Sequence, residues 1–414
     1  MKVITDLHIH SKYSRACSKS ITIPNIAQTC EQKGINYIAT GDALHPQWRA
    51  HISETLEERE DALYLRDNSS STAFILSTEV SCIYKRGGKT RRLHHVILFP
   101  DLKSLDQVII ELTNRKFNLK SDGRPIMGLD SEELIKLLLN IDERILLIPA
   151  HAWTPWFAIF GSKSGFDSLE ECFGEYTKYI YAIETGLSSD PPMNWQLSQL
   201  DKVFLVSNSD AHSLEKLGRE ANIFEMTKPS YTELRNILVN HDQKKFLQTI
   251  EFFPEEGKYH ADGHADCGFY CSPAETKKLK GLCPKCGRPL TIGVLSRVSE
   301  LADRQQSAID KKKFVPFQSI VPLKEVISNC VDKGVKTKTV SKIYEKIISQ
   351  ENEFNILLNT PINKLQNIIP QKDIVQAIIN MREHKIKLQP GYDGVFGKIQ
   401  VCSKNNKAHQ EKLI

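Results

Sequence analysis

Nothing in this 414-residue chain comes near the roughly 18 consecutive apolar residues that a membrane-spanning helix needs. No membrane contact is therefore expected. The opening Met1-Lys2-Val3-Ile4-Thr5-Asp6 lacks the apolar core of a secretory signal and meets an acid at once, so a cytoplasmic location is the expectation. Cysteine is too sparse for a secreted disulfide framework. There are 10; four lie between Cys267 and Cys286 and the rest are scattered, a distribution that points to metal. Internal repeats and long linkers are lacking too. The length exceeds one ordinary core, so two or three domains are expected.

The chain does have unevenly placed charge. The net value is +5, yet Leu301 to Ile414 carries 19 Lys and Arg against 11 Asp and Glu, leaving the first 300 residues net acidic. A basic end behind an acidic, metal-binding part suits a polyanionic substrate.

Short apolar runs at Val3-Ile4, Ile35 to Ala39, Phe74 to Leu76, Val96 to Phe99, Ile145 to Ile148, Tyr179 to Ile183 and Val203 to Val206 predict buried strands. Pro24 to Lys33, Glu54 to Arg66, Asp130 to Asn140 and Tyr231 to Asn240 predict helices. Strands alternating with helices argue for a parallel α/β barrel. His8 and His10, Asp42, Glu79, His151, Glu184 and Asp210 each fall at or just past the end of one of these strands. Catalytic side chains of α/β barrels gather at the carboxyl ends of the strands. After about Glu251 the periodicity breaks. From Ala302 helical spacing dominates, as in Leu323, Val326, Ile327 and Cys330.

In Asp6-Leu7-His8-Ile9-His10, strand alternation points both imidazoles and Asp6 to one face. A lone His-x-His is a weak signal; its company strengthens it. Asp42 and His45 share one loop, Glu79 follows a strand, His151 closes another, and Asp210-Ala211-His212 closes the last. His94-His95 opens a strand, so only one of the two can point inward. Imidazole and carboxylate suit zinc, manganese or iron, with carboxylates able to bridge two ions. So many candidates exceed what one structural ion needs.

The order His8-x-His10, Asp42 and His45, Glu79, His95, His151, Asp210-x-His212 resembles the polymerase and histidinol phosphatase (PHP) superfamily over roughly residues 1 to 250. The resemblance implies a distorted (β/α)7 barrel with two or three divalent ions (zinc, manganese or magnesium) that cleaves phosphoesters. It implies His8, His10, Glu79 and Asp210 as the catalytic centre around one ion. Glu79 would bridge to a second ion on His95 and His151. Asp42, His45 and His212 would serve a third position or orient the water. His95 is chosen over His94 because a strand-like run follows it directly. Two features depart from the family pattern. Thr40-Gly41-Asp42 stands where Thr-Asp-His is common, and no histidine lies between His10 and His45, which bears on the third position.

Cys283-Pro-Lys-Cys286-Gly reads as a zinc knuckle. Either His264 with Cys267, or Cys267 with Cys271, would complete four ligands of one structural zinc. The first pair repeats the two-residue spacing and is preferred. Directly after His151 comes an aromatic stretch with Trp153, Trp156 and Phe160, then Gly161-Ser162-Lys163-Ser164-Gly165. Its rings could stack on an extruded base and its amides and cation could meet phosphate. Gly391-Tyr-Asp-Gly-Val-Phe-Gly-Lys398 lacks the Gly-Lys-Ser/Thr ending of a nucleotide-binding loop.

The runs His151-Ala-Trp-Thr-Pro-Trp-Phe, Phe160-Gly-Ser-Lys-Ser-Gly-Phe-Asp, Leu290-Thr-Ile-Gly-Val-Leu, Arg297-Val-Ser-Glu-Leu-Ala-Asp-Arg304 and Gly391 to Lys398 are similar to the endonuclease Q family across the whole chain. That resemblance implies three parts: a PHP barrel at 1–250, a zinc-binding module at 251–300 and a basic, mainly helical DNA-binding domain at 301–414. It implies incision of duplex or single-stranded DNA 5′ to uracil, hypoxanthine, xanthine or an abasic site, leaving a 3′-hydroxyl and a 5′-phosphate. A monomer is expected, with a replication or repair protein as a further partner. A small-molecule phosphatase would need neither module nor basic end, and a non-catalytic adaptor would not keep the ligand set.

Overall fold

The structure is a computed structural model that describes residues 1–402; residues 403–414 of the expected third part lie outside the described residues. Seven strands form the barrel wall: β1 Lys2–Asp6, β2 Tyr37–Ala39, β3 Ala73–Arg86, β4 Lys89–Phe99, β5 Leu146–Pro149, β6 Ala182–Glu184 and β7 Phe204–Val206. Ile38, Phe74 to Leu76, Val96 to Phe99 and Leu146 to Ile148 are buried. Helices outside and side chains inside cover both faces, which explains continuous apolar runs in place of alternation. The ring is completed by single hydrogen bonds. Ala152 N donates to Glu184 O at 2.9 Å and His10 N donates to Ala211 O at 3.0 Å.

The barrel is distorted because its strands do not all run one way. β1, β2 and β3 pair in parallel, as do β6 and β7. β3–β4 and β4–β5 are antiparallel. Gly87 and Gly88, at φ +60° and +74°, make a two-residue turn that sends β3 back as β4 with no crossover helix. Alternation of elements alone therefore overstates the parallel character.

The helix expected from Glu54 to Arg66 does not form. A helix spans Pro46–Thr55, and the chain then folds into a hairpin, Leu56–Arg59 against Ala62–Leu65. It turns at Glu60 and Asp61, both with positive φ. Leu63 pairs with Phe74 of β3, so the edge of the sheet takes these backbone groups and tertiary pairing overrides local spacing. A further helix, Leu102–Asn114, is capped by the Asp101 side chain, which accepts from Ser104 N.

Beyond the ring, β8 (Ala221–Glu225), β9 (Phe246–Glu251) and β10 (Phe317–Ser319) extend the sheet outward from β1. The third part of the chain thus lends a strand to the barrel sheet before turning helical. Its helices Leu323–Val331, Lys338–Ile348 and Lys372–Arg382 bury Val326 and Ile327, Val340 and Ile347, Ile374 and Ile378 in the main core. Cys271, Cys283 and Leu290 form a separate small core in the module. Among the described residues no helix is long and apolar enough to cross a membrane.

Candidate active site

His8 and His10 leave the end of β1 on the face opposite the core residues Leu7 and Ile9. Their ligand atoms and those of Glu79 and Asp210 all lie within 4.8 Å of one another. His10 Nε2 stands 3.1 Å from both Glu79 Oε2 and Asp210 Oδ1. His8 Nε2 is 3.6 Å and 3.8 Å from the same two atoms. None of these contacts is aligned as a hydrogen bond, so both Nε2 atoms and Asp210 Oδ1 are buried without a hydrogen-bond partner. Such atoms are rare and unfavourable in a folded protein. Converging on one point, they fit a divalent cation.

The other nitrogen of each ring is held. Both Glu184 oxygens meet His8 Nδ1 at 3.1 Å. Asp42 Oδ1 meets His10 Nδ1 at 3.0 Å. This is how a carboxylate fixes the tautomer and direction of a ligating histidine. Burial opposes the charge on His8, but Glu184 and Glu79 overcome it and raise the imidazole well above its ordinary range. Burial likewise opposes His10, and Asp42 and Asp210 raise it.

A second group shares Glu79. Its Oε1 is 2.8 Å from His94 Nδ1 and 3.2 Å from His151 Nε2, and those two nitrogens are 3.1 Å apart. Glu79 therefore offers Oε2 to one group and Oε1 to the other. Burial pushes its carboxyl up, but His94, Arg124 and His8 hold it well below the usual carboxylate range. Burial lowers His94 to about 4, against the opposing pull of Glu79.

The choice of His95 is corrected here. In the β3–β4 ladder Ser81 faces His94 and Val80 faces His95, so His94 shares the face of Ser81 and Glu79. His95 points the other way. Its Nε2 meets Ser131 Oγ at 2.8 Å and its ring lies against Phe173. The signal was in the sequence: the Gly87-Gly88 turn between Arg86 and Lys89 fixes the register, and counting back selects His94.

Three further candidates stand outside both groups. Asp42 is saturated: besides His10, its Oδ2 accepts from Ser11 N at 2.6 Å, Ser11 Oγ at 2.7 Å and Ser14 Oγ at 2.8 Å. Gly123 packs so closely that a Cβ there would lie 2.2 Å from Asp42 Oδ2. His45 stacks on Tyr13, with Nε2 3.3 Å from Lys120 O. His212 lies against the His10 ring on the open side. Asp6 does not join either; it accepts the Ser209 and Gly218 amides, and burial lifts it to about 6. Asp42, His151 and Asp210 have φ of +46°, +30° and +46°. Strain of that kind gathers where function fixes a side chain.

Two residues escaped the sequence reading. Glu184 stands at a strand end, and the sequence gives no sign of its hold on His8. Arg124 Nη1 donates to Glu79 Oε2 at 3.0 Å, and no local motif marks it. Below Glu184 lie two more buried acids. Ala221 faces Ile250 across the β8–β9 ladder, which sets Glu220 opposite Glu251. Burial raises Glu251 to about 7, and burial and Glu251 raise Glu220 well above its ordinary value.

The aromatic stretch divides. Trp153 and Phe160 are buried against each other, and Trp153 Nε1 donates to Asn194 Oδ1. Ser164 is buried and its hydroxyl donates to Arg92 O; Gly161 is buried too. These four shape the loop from within and are corrected as direct contact candidates. Trp156, Ser162 and Lys163 remain exposed. Thr154 Oγ1 meets His151 Nδ1 at 3.3 Å, tying the loop to the second group. Arg297 donates to the carbonyls of Phe160 and Phe166, tying the loop to the helix Val294–Leu301. Between them opens a cavity of about 240 Å³ lined by Trp156, Lys258, Tyr259 and His260 among others.

In the module His264, Cys267, Cys283 and Cys286 bring their ligand atoms within 4.8 Å of one another. Cys271 turns instead to Thr276 Oγ1 at 3.2 Å. The donor set fits one tetrahedral zinc.

Residues 322–385 match the MJ0043 C-terminal domain family. An uncharacterized protein of Methanocaldococcus jannaschii, MJ0043, is 32% identical over 64% of this chain, which spans 33% of that relative's length. The lesion-specific endonuclease PfuEndoQ from Pyrococcus furiosus is 31% identical, with a TM-score of 0.86 over 100% of this chain and 98% of that one. Endonuclease Q in complex with a 27-mer duplex substrate bearing an abasic lesion is 31% identical, with a TM-score of 0.84 and 100% of both chains covered. The chain belongs to the endonuclease Q family. By that membership it is an enzyme, an endonuclease. The endonuclease Q match runs through barrel, module and helices alike.

Proposed function

We propose that this chain incises DNA 5′ to deaminated bases (uracil, hypoxanthine and xanthine) and to abasic sites, leaving a 3′-hydroxyl and a 5′-phosphate. It would act as a cytoplasmic monomer on duplex or single-stranded DNA, with a replication or repair protein as partner. One observation carries the reading: Glu79 presents one oxygen to each of two ligand groups, next to a cavity with an exposed tryptophan. The complex of the related endonuclease Q with an abasic duplex supports the substrate class.

His8, His10, Glu79 and Asp210 would hold one ion; Glu79, His94 and His151 would hold the other. Divalent ions there would supply an activated water at neutral pH and offset charge on the phosphodiester. A third ion is not part of this reading, because Asp42 spends its oxygens on His10, Ser11 and Ser14. Glu184 and Asp42 keep the two imidazoles aimed. Arg124 would move from Glu79 onto a phosphate oxygen, a charge-assisted contact. The cavity would take the extruded nucleotide, with Trp156 at its rim for stacking. His260, whose buried Nδ1 has no partner, would meet the edge of the base.

The test is nicking of duplexes carrying one uracil, hypoxanthine or abasic site, with and without divalent metal, and mapping of the ends. Metal-dependent nicks on the 5′ side of each lesion are expected. Equal cleavage of undamaged duplex would overturn the repair reading and leave a nuclease.

A further inference from the structure

The glycine-rich run from Gly391 to Lys398 has no part in the site so far. It is built as a rigid mount. Gly391 N donates to Glu255 O at 2.7 Å, Gly394 N to Lys258 O at 3.0 Å and Gly397 N to Glu256 O at 3.1 Å. The Asp393 carboxylate accepts from Ala265 N at 2.6 Å and from Thr291 Oγ1 at 2.5 Å, which binds the turn to the zinc module on both sides. A Cβ at Gly397 would lie 1.9 Å from Glu255 O, so only glycine permits this approach.

This mount holds an apolar side chain out in water. Phe396 is 64% exposed and Val395 40%. Single exposed apolar residues are ordinary on protein surfaces; one fixed just past a turn closed by Tyr392 and Val395, with so many anchors around it, is not explained that way. Its place is also informative. Lys258 Nζ sits 4.4 Å from the centre of the Phe396 ring, and Lys258 lines the cavity beside the barrel mouth. The phenylalanine and the cavity are therefore separated by one lysine side chain. Trp156 stands on the barrel side of the same cavity.

We propose that Phe396, held by the Gly391–Lys398 loop, is a wedge that enters the duplex stack beside the nucleotide drawn into the cavity. The inference rests on the nicking activity proposed above. Extruding a nucleotide leaves a gap in the stack, and apolar side chains such as phenylalanine fill or pry such steps. Lys258, over the ring, supplies a cation for the flanking phosphate. The loop's own hydrogen bonds keep the wedge from folding back, so no ordering is needed at the moment of insertion.

The test compares Phe396→Ala and Phe396→Leu with the unaltered protein on one uracil in three settings: paired in duplex, in an unpaired bubble, and in single-stranded DNA. The wedge predicts that Phe396→Ala loses about tenfold or more on paired uracil, in line with a stacking contact, and little on the other two. Phe396→Leu should recover much of the loss. A 2-aminopurine next to the lesion should brighten with the unaltered protein and not with Phe396→Ala, in metal-free solution as well. Equal loss on all three substrates, or no loss on any, would overturn the wedge. Absence of nicking by the unaltered protein would instead overturn the underlying activity, and a change in sedimentation with Phe396→Ala would make the residue a contact between copies.

Discussion

The barrel and the module each gather histidine with acid or thiol around a point, and they do so by opposite means. In the module four ligands come from one short stretch, His264 to Cys286, and Cys286 is exposed. His264 meets Cys286 Sγ at 3.8 Å, and no carboxylate is seen orienting its ring among the described interactions. In the barrel the candidate ligands follow β1, lie on β3 and β4, and follow β5 and β7. Their rings are buried, and Glu184 and Asp42 aim them from behind. Thiolates that only hold an ion need little support, because the ion organises them. A site that must act on a phosphodiester needs its ligands fixed beforehand, with orienting carboxylates behind them.

The sharpest way to break this contrast is to exchange the two neighbouring histidines. His94→Ala should cut nicking by on the order of a hundredfold or more by emptying the second group. His95→Ala should leave nicking near normal and lower stability by about 1–3 kcal/mol through the loss of buried contacts. Reversed results in a nicking assay and a denaturation curve would restore His95 as the ligand.

A smaller effect is expected from the residues behind the ligands. Asp42→Asn and Glu184→Gln should each weaken barrel metal affinity about 10- to 100-fold, read by metal titration. Module zinc should be unchanged in both. Equal weakening of both sites would mean that the variants act through general unfolding.

The smallest effect concerns the buried acids under Glu184. Glu251 is raised to about 7 in the folded chain from an ordinary 4.5. The unfolded chain therefore loses this proton first as pH rises, and the folded state is progressively disfavoured between about pH 4.5 and 7. Glu251→Gln should raise thermal stability at pH 8 by an amount on the order of 1–3 kcal/mol and change little at pH 4. A benefit larger at pH 4 would contradict the shared burial of this pair.

Much of the site was legible because the ligand types recur at strand ends, where barrels collect them. His8, His10, Glu79, His151 and Asp210 stand out by strand position, and spacing narrows the module set to Cys267, Cys283, Cys286 and either His264 or Cys271. What escaped depends on direction or on distance. His94 against His95 is a question of face, settled by a hairpin register. Asp42 has the chemistry of a ligand but faces Ser11 and Ser14. Arg124 reaches Glu79 from 45 positions away, and nothing local announces it. The missing helix at 56–65 failed for the same reason: pairing with β3 outweighed local spacing.

In the function proposed above, Glu79 is shared by two ion sites in the barrel while the module keeps its own. This sharing is tested most directly by counting metal in the unaltered protein and in Glu79→Gln after exhaustive dialysis. Three ions per chain are expected in the first and one in the second, the survivor being module zinc. Three ions retained by a folded Glu79→Gln would contradict it.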